Sequence, residues 1–185
     1  MTNAELAILG LVIEKARHGY EIEQVIAARD MREWTEIGFS SIYYLLKKLQ
    51  KNGWVHSRIE ADHQQGPART VYEATPDGYA AWQQAMMDVL TTPRPHYDPF
   101  QLGLANLPAI SHDEAVNALL QRRDTLQQTL QHVHSRRAEA QPHAPMHVDA
   151  MFELSVVMLE AEINWLTSFI DRLGEAPQGD SPHAH

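Results

Sequence analysis

The apolar residues of the N-terminal half recur every three to four positions in three segments, a spacing typical of amphipathic α-helices. The segment from Asn3 to Lys15 is apolar over more than half of its helical surface, which predicts a helix buried on most sides. A shorter helix is predicted over Glu21 to Ala28. A third is predicted over residues 40–52, with Ser40 as its N-cap and Gly53 where a left-handed C-terminal residue belongs. We therefore expect three packed helices in this half.

The period of the pattern shortens to about two after the third helix, as in β-strands. Two extended segments within residues 54–75, separated by the turn-forming run QQGPA, predict a β-hairpin. Thr75 and Pro76 then supply the cap and the first turn of a fourth helix. Three helices followed by a hairpin form the winged helix-turn-helix arrangement, in which the third helix enters the major groove of DNA. The hairpin, or wing, lies along the DNA backbone or the minor groove.

A proline-rich stretch, TTPRPHYDP, predicts a connector between two domains. Beyond it, a short helix is expected near Phe100, and a capping-box pattern at residues 111–114 opens a long helix that ends near residue 140. We predict a mainly α-helical protein with a small β-hairpin, in which an N-terminal winged helix-turn-helix precedes a helical C-terminal dimerisation domain. The predicted boundaries are 1–91 for the winged helix DNA-binding domain, 92–99 for the connector, 100–174 for the helical dimerisation and effector domain, and 175–185 for a disordered tail.

The last helix carries two apolar stripes. One follows alternating spacings of three and four, which is a heptad seam. The other, at Met151, Met158 and Trp165, runs beside the seam at intervals of seven. A helix that is apolar on more than one side needs more than one neighbour, so we expect a homodimer built mainly from this helix. The seam residues predicted at the dimer interface are Phe152, Val156, Leu159, Ile163, Leu166 and Ile170.

Composition limits the partners and the chemistry. The 185 residues carry 15 Lys and Arg against 24 Asp and Glu, and the formal net charge of −9 argues against indiscriminate polyanion binding. Cysteine is absent, which excludes disulfides, thiolate catalysis and thiolate metal sites. The chain also has no basic leader and no run of about 18 apolar residues. We therefore expect a cytoplasmic protein without a membrane partner.

The third helix reverses the sign of the global charge. From Lys47 to Arg58 there are four basic residues and no acidic residue, which is an electrostatic footprint of nucleic-acid binding. The first turn and a half of a recognition helix reaches base edges, and here it carries serine and tyrosine hydroxyls that can hydrogen-bond to bases or phosphates. We therefore expect double-stranded DNA as a partner. The predicted DNA contacts of this helix are Ser40, Ser41, Tyr43, Tyr44, Lys47, Lys48 and Lys51.

Three stretches, HGYEI, SSIYYLLKKLQKNGWV and GPARTVYEATPDGYAAW, resemble in order and spacing the signature stretches of the PadR family of bacterial transcriptional regulators. The resemblance covers about half of the chain. It implies a winged helix domain joined to a helical dimerisation domain, in a homodimeric repressor that binds a palindromic operator and is released by a small molecule. The length of the C-terminal half is similar to that of the longer branch, which includes phenolic-acid-responsive repressors. By the match, Tyr43 is the third-helix tyrosine at the DNA, and Gly66, Pro67 and Arg69 belong to the wing.

Aromatic residues near the connector and along the last helix are candidates for an effector cavity, because such pockets are mostly apolar with a few polar anchors. The same residues would serve equally well in the core. We expect the effector to be a small, aromatic molecule. The candidate effector residues are Trp82, Tyr97, Phe100 and Trp165.

Two other functions stay open at this point. The close histidine pairs His132/His134 and His143/His147 suggest metal sensing, but no carboxylate cluster with ligand spacing accompanies them, so we predict no metal site and no cofactor. A winged helix can also act only as a protein-interaction module, and the acidic C-terminal half would suit a basic partner. Since no GxSxG, HExxH or phosphate-binding glycine loop occurs, no enzyme activity is expected.

Overall fold

The computed structural model describes residues 1–35, 37–38, 41–60, 68–93, 97–141 and 143–175. The chain divides into two compact units, Met1–Pro95 and His96–His185. The predicted fold class is confirmed, because helices dominate and the strands form one small antiparallel sheet. Within the described ranges, none of the helices combines the length and the apolar character that a membrane crossing requires.

The N-terminal unit contains the predicted winged helix elements and one strand that the sequence pattern did not indicate. A single 3₁₀ turn, Met31–Glu33, follows the second helix. The elements are α1 (Asn3–Glu14), β1 (Arg17–His18), α2 (Gly19–Ala28), α3 (Ile42–Lys51), β2 (Val55–Glu60), β3 (Arg69–Ala74) and α4 (Pro76–Thr91).

The sheet has the strand order β1-β3-β2, and both pairings are antiparallel. Strands β2 and β3 are the predicted hairpin, in which Val55 lies opposite Ala74 and Glu60 lies opposite Arg69. Strand β1 pairs His18 with Val71 on the other edge of β3. The wing therefore belongs to a three-stranded sheet. The sequence did not predict β1 because a two-residue strand is too short to show a period.

The core of this unit forms where α1, α2 and α3 meet the sheet. Helix α1 is buried on most sides, as predicted, and α3 turns one apolar face inward. Gly53 ends α3 with a positive φ of 74°, in the left-handed region expected there. The core residues of these three helices include Ile8, Leu9, Leu11, Val12, Ile22, Ile26, Ile42, Leu45, Leu46 and Leu49.

The start of α3 differs from the prediction. The helix begins at Ile42 with Ser41 in the N-cap position, and Ser40, the predicted cap, lies outside the described residues. The Ser41 hydroxyl makes no capping hydrogen bond and donates instead to the Gly38 carbonyl at 2.7 Å. The predicted cap of α4 is confirmed, since the Thr75 hydroxyl accepts a hydrogen bond from the Gly78 amide at 3.0 Å.

The C-terminal unit consists of α5 (Pro99–Ala105), α6 (His112–Ala140) and α7 (Met146–Glu175), with a 3₁₀ turn at Leu107–Ala109. Helix α6 begins with the predicted capping box, in which the Ser111 hydroxyl accepts from the Glu114 amide and the Glu114 carboxylate accepts from the Ser111 amide. Helices α6 and α7 pack against each other, and α7 is the longest helix among the described residues.

Polar contacts at three levels define an antiparallel pairing of α6 and α7. Near the middle, the Arg122 guanidinium lies 2.6 Å from the Glu162 carboxylate. Near the loop between the helices, Arg137 makes two hydrogen bonds of 2.8 Å to the Asp149 carboxylate. The third contact joins the start of α6 to the end of α7. The hydrogen bonding from Arg137 is also the main reason why the pKa of Asp149 is lowered.

At that third level, His112 donates a hydrogen bond of 2.9 Å from Nε2 to the Leu173 carbonyl. This bond, followed by the contact with the Asp113 carboxylate, raises the pKa of His112. A cationic imidazole at the C-terminal end of a helix also interacts favourably with the helix dipole. Because the pKa is raised, this stabilisation is fully present at pH values below the ordinary histidine pKa. It is lost as the pH rises through the pKa of His112 in the folded protein.

Burial along α7 separates its two apolar stripes. The six seam residues are buried or half-buried within one chain, and Val156 and Leu166 are only 8% and 0% exposed. The second stripe is open, with Met158 65% exposed. Leu154, which the sequence pattern did not single out, extends this open stripe because it lies between Met151 and Met158 at helical spacing. Residues of the same chain thus cover the seam at least in part, whereas the open stripe is exposed to solvent in one chain.

Candidate nucleic-acid interface

Helix α3 has one face in the core and the opposite face in solvent. Its core face consists of the apolar residues already described, and its other face carries tyrosines and lysines. Tyr43 and Tyr44 are 58% and 66% exposed, and Lys47 and Lys51 are also exposed. This division follows from the amphipathic spacing, because residues three or four positions apart share one face of a helix and the apolar residues of α3 follow that spacing. Four of the seven predicted helix contacts therefore share one accessible surface.

Lys48 differs from the other two lysines of the helix. Its ammonium nitrogen Nζ lies 2.6 Å from Oε1 of Glu5, a residue of α1 that is only 3% exposed. Burial raises the pKa of Glu5, but the close Lys48 ammonium and the hydrogen bonds from Thr2 outweigh this effect and leave the pKa lowered. Both groups are therefore charged at neutral pH. The sequence did not reveal this partner, since the two residues lie far apart in the chain.

Ion pairs in the wing also reduce the positive charge of the segment from Lys47 to Arg58. The Arg58 guanidinium contacts the Glu60 carboxylate and lies 3.9 Å from that of Glu73. Of the four basic residues counted from the sequence, Lys47 and Lys51 are then the two that make no ion pair within the described part of the chain. A phosphate would find its strongest attraction at these two side chains.

Tyr43 is held against the start of α2. A Cβ atom built on Gly19 would lie 2.5 Å from Cε1 of the Tyr43 ring, so the ring rests directly on the glycine. Gly19, which resembles a simple turn glycine in the sequence, is the first residue of α2 and provides space for this ring. Helix α3 is therefore in close contact with α2 at its own N-terminal turn.

Tyr43 also lines an open cleft of about 450 Å³ between α2, α3 and β3. Arg69, the predicted wing residue at the start of β3, lines the same cleft, and its Nη1 lies 3.5 Å from Nε2 of His18. The other two predicted wing residues, Gly66 and Pro67, lie outside the described residues. The cleft is lined by His18, Gly19, Tyr20, Tyr43, Arg69, Thr70 and Tyr72.

His18 and Tyr20 are two cleft residues that the sequence did not indicate as contacts. Their rings stack with centroids 6.3 Å apart, and Tyr20 is 62% exposed. The signal in the sequence was the HGYEI stretch, which contains both residues. This stretch indicated a family resemblance, but it did not indicate that the two side chains lie beside α3. Seven residues after Tyr43 along α3, the Gln50 amide donates a 3.0 Å hydrogen bond to the Ser57 hydroxyl and so connects α3 to β2.

The four candidate effector residues do not form one group. Trp82 belongs to the N-terminal unit, where it packs against the core beside Gly10. Tyr97 is 86% exposed. Phe100 and Trp165 do meet, edge to face with ring centroids 6.0 Å apart, and the Arg122 guanidinium lies 3.9 Å above the Phe100 ring. Trp165 also stacks on Phe169, with ring centroids 4.9 Å apart, so the C-terminal unit has an aromatic cluster with the Arg122 guanidinium at one edge.

No cluster of three or more histidine, aspartate or glutamate side chains able to hold a metal ion occurs in the described ranges. His132 and His134 lie within α6, and His143 and His147 lie at the turn into α7 and in its first turn.

Comparison with known proteins identifies the family. Residues 8–84 match the model of the transcriptional regulator PadR-like family. The N-terminal unit therefore contains a PadR-like domain. The matched residues contain α2, α3, the three strands and most of α1 and α4, so they include the whole surface described above. The proteins that this model describes are transcriptional regulators. No curated protein sequence matches the chain.

Solved PadR structures share the fold over nearly the whole chain. Bacillus subtilis PadR in complex with operator DNA matches with a TM-score of 0.74 at 18% identity, covering 91% of this chain and 98% of that one. The same protein in complex with p-coumaric acid matches with a TM-score of 0.70 at 21% identity, covering 94% and 99%. The protein smu.1604c from Streptococcus mutans UA159 matches with a TM-score of 0.67 at 14% identity, covering 92% and 99%. These likenesses show that the chain has the PadR fold.

Replacing Gly19 with alanine tests whether the position of Tyr43 matters for DNA binding. The new Cβ would displace the exposed Tyr43 ring, while alanine is well tolerated at a helical position, so we expect little change in stability. DNA affinity should fall by about 1–3 kcal/mol, as expected when a base contact is removed. Thermal unfolding and DNA titration measure the two effects.

Gly103→Ala, within α5, is the matched control, because a Cβ there would meet no heavy atom within 4 Å among the described residues. Tyr43→Phe shows how much of the effect belongs to the hydroxyl. A Gly19→Ala protein that binds DNA as tightly as the wild type would show that the Tyr43 ring does not need its observed position.

Proposed function

We propose that the protein is a homodimeric, ligand-responsive transcriptional repressor that binds a palindromic operator through α3 and the wing and is released by a small molecule. The observation that carries the proposal is the exposed face of α3, where two tyrosines and two lysines that make no ion pair with any described residue lie opposite a buried apolar face. A helix held in this way can present hydroxyls and cations to the major groove while its other side stays in the core.

The chemistry of this face suits DNA in two ways. Lys47 and Lys51 attract phosphates, and this attraction does not depend on the sequence of the DNA. The hydroxyls of Tyr43 and Tyr44 can donate to or accept from base edges, which is how sequence is read. Since the protein as a whole carries a net charge of −9, we expect weak binding to random DNA and a marked preference for the operator. Bacillus subtilis PadR has been crystallised with operator DNA, which supports the same partner here.

Enrichment of duplexes from a random-sequence pool tests DNA recognition directly. We expect a palindrome whose half-sites are centred about 34 Å apart, because a twofold dimer places its two recognition helices in successive major grooves. Lys47→Met should weaken binding to the enriched duplex and to a scrambled duplex alike. A pool that yields no enriched sequence would contradict operator recognition.

The proposed dimer relies on α7. Its open stripe of Met151, Leu154, Met158 and Trp165 is 40–65% exposed in one chain, which is unusual for four large apolar side chains on one helix face. A second copy of α7 would cover this stripe. The predicted seam residues stay candidates for the interface, but Val156 and Leu166 are already buried without a partner, so we propose that the open stripe contributes more of the contact.

Replacing Met158 with aspartate tests this assignment. A carboxylate in the middle of an apolar interface loses its hydration without gaining a partner, so the dimer should dissociate while each chain stays folded. Asn164→Asp adds the same group at an exposed position elsewhere on α7 and should leave the dimer intact. Sedimentation reports the oligomeric state of both proteins. A Met158→Asp protein that is still dimeric would move the interface to another surface.

The proposed effector is a small aromatic molecule. Support comes from the cluster of Phe100 and Trp165, and from the binding of p-coumaric acid by Bacillus subtilis PadR. The Arg122 guanidinium at this cluster already contacts Glu162 and lies 3.6 Å from Asp98. A ligand carboxylate would have to compete with these two side chains for Arg122, so we expect neutral aromatic compounds to bind here at least as well as aromatic acids.

Linkage between the effector and the operator tests the release mechanism. An effector that favours a dimer with misplaced recognition helices by about 3 kcal/mol lowers operator affinity about 150-fold, and the operator weakens the effector by the same factor. Phenolic acids and matched neutral phenols, titrated with and without the enriched duplex, provide the measurement. If every compound that binds has the same dissociation constant in both titrations, ligand-relieved repression is wrong for this protein.

A further inference from the structure

We propose that Lys48 is a positioning residue, which holds the recognition helix against α1 through Glu5, and that it is not a phosphate contact. The proposal rests on the proposed function, in that α3 is taken to be the helix that contacts DNA. The sequence alone does not distinguish the neighbouring residues Lys47 and Lys48. The proposal assigns DNA binding to Lys47 and the fixing of α3 to Lys48.

The capping box of α1 holds the carboxylate of Glu5 in place independently of Lys48. Glu5 is the third residue of α1, and its Oε2 accepts a 2.7 Å hydrogen bond from the Thr2 amide. In return, the Glu5 amide donates to the Thr2 hydroxyl at 3.2 Å. This capping box leaves Oε1 as the oxygen that faces Lys48, at 2.6 Å. The Lys48 ammonium is therefore bound at a defined point on α1.

Burial makes this ion pair difficult to break. Glu5 is the one buried charged residue in the described part of the chain, and a buried carboxylate without a cation is strongly unfavourable. If Lys48 turned toward a DNA phosphate, it would leave Glu5 in that state. Lys47 has no such partner among the described residues and can bind a phosphate without breaking an ion pair with them. The geometry therefore favours Lys47 as the phosphate contact and Lys48 as the anchor.

Lys48 lies at the border between the two faces of α3. The next residue, Leu49, is fully buried, and Tyr44, one turn before Lys48, is exposed and close enough to interact electrostatically with it. An anchor at this border limits rotation of α3 about its own axis, which the leucines alone restrain less because apolar contacts are not directional. Rotation would move Tyr43 and Tyr44 relative to the groove, so the ion pair controls where these side chains lie.

The experiment compares Lys48→Met with Lys47→Met on the enriched duplex and on a scrambled duplex, at salt concentrations from about 50 to about 200 mM. Lys47→Met should reduce the salt dependence on both duplexes, by about 0.9 in slope for each phosphate that the variant no longer neutralises. Lys48→Met should leave the slope unchanged and lower affinity for the enriched duplex about tenfold, comparable with the removal of a base contact, with a smaller effect on the scrambled duplex.

Glu5→Gln distinguishes the two roles by the sign of its effect. If Lys48 contacts phosphate, removing the carboxylate releases the ammonium and DNA binding becomes tighter. If Lys48 is an anchor, removing the carboxylate loosens α3 and binding to the enriched duplex becomes weaker. Glutamine keeps the capping box with Thr2, so α1 is expected to form normally. Lys48→Arg, which keeps the charge opposite Glu5, should restore most of the affinity that Lys48→Met loses.

The double variant Glu5→Gln/Lys48→Met covers the case in which Lys48→Met does not fold, because it leaves no charge buried alone. Under the proposal, it binds the enriched duplex no more weakly than either single variant and keeps the wild-type salt slope. A reduced slope in Lys48→Met or in the double variant, or tighter binding by Glu5→Gln, would overturn the proposal. Wild-type protein that fails to bind any duplex would instead refute DNA binding by α3. The experiment therefore distinguishes a failure of the proposed function from a failure of the anchor role of Lys48.

Discussion

Helix α3 must be held firmly on one side while its other side stays accessible, and the rest of the N-terminal unit serves this requirement. Four apolar residues of α3 pack into the core, and the Glu5–Lys48 ion pair adds a charged contact to α1. Gly19 receives the Tyr43 ring, and the hydrogen bond from Gln50 to Ser57 joins α3 to the wing. Tyr43 and Gln50 are seven residues apart on one side of the helix, and Lys48 lies on another side, so together the contacts restrain both its position and its rotation.

Local signals in the sequence predicted most of the secondary structure. The capping residues Thr75 and Ser111 start their helices as expected, and Gly53 has the left-handed conformation that its place after α3 suggested. These features depend on residues within one turn of each other, which a single sequence shows directly. The exposed tyrosines of α3 were predictable for the same reason, because helical spacing alone places Tyr43 and Tyr44 opposite the buried leucines.

Contacts between distant residues could not be predicted in this way. The pairing of Lys48 with Glu5, and the shared cleft of Tyr43 and Arg69, both depend on how the elements pack. The two stripes of α7 show the same limit. Their spacing is visible in the sequence, but only the structure shows that the regular seam is largely buried within one chain and that the stripe of Met151, Leu154 and Met158 is open.

Chemical footprinting of tyrosines tests most directly whether the open face of α3 contacts DNA. Tyr43, Tyr44, Tyr79 and Tyr97 are all more than half exposed, so each should be nitrated in the free protein. With the enriched duplex bound, mass spectrometry should show Tyr43 and Tyr44 protected, while Tyr79 and Tyr97 stay reactive as internal controls. Nitration of Tyr43 and Tyr44 at the same rate with and without the duplex would contradict DNA recognition by α3.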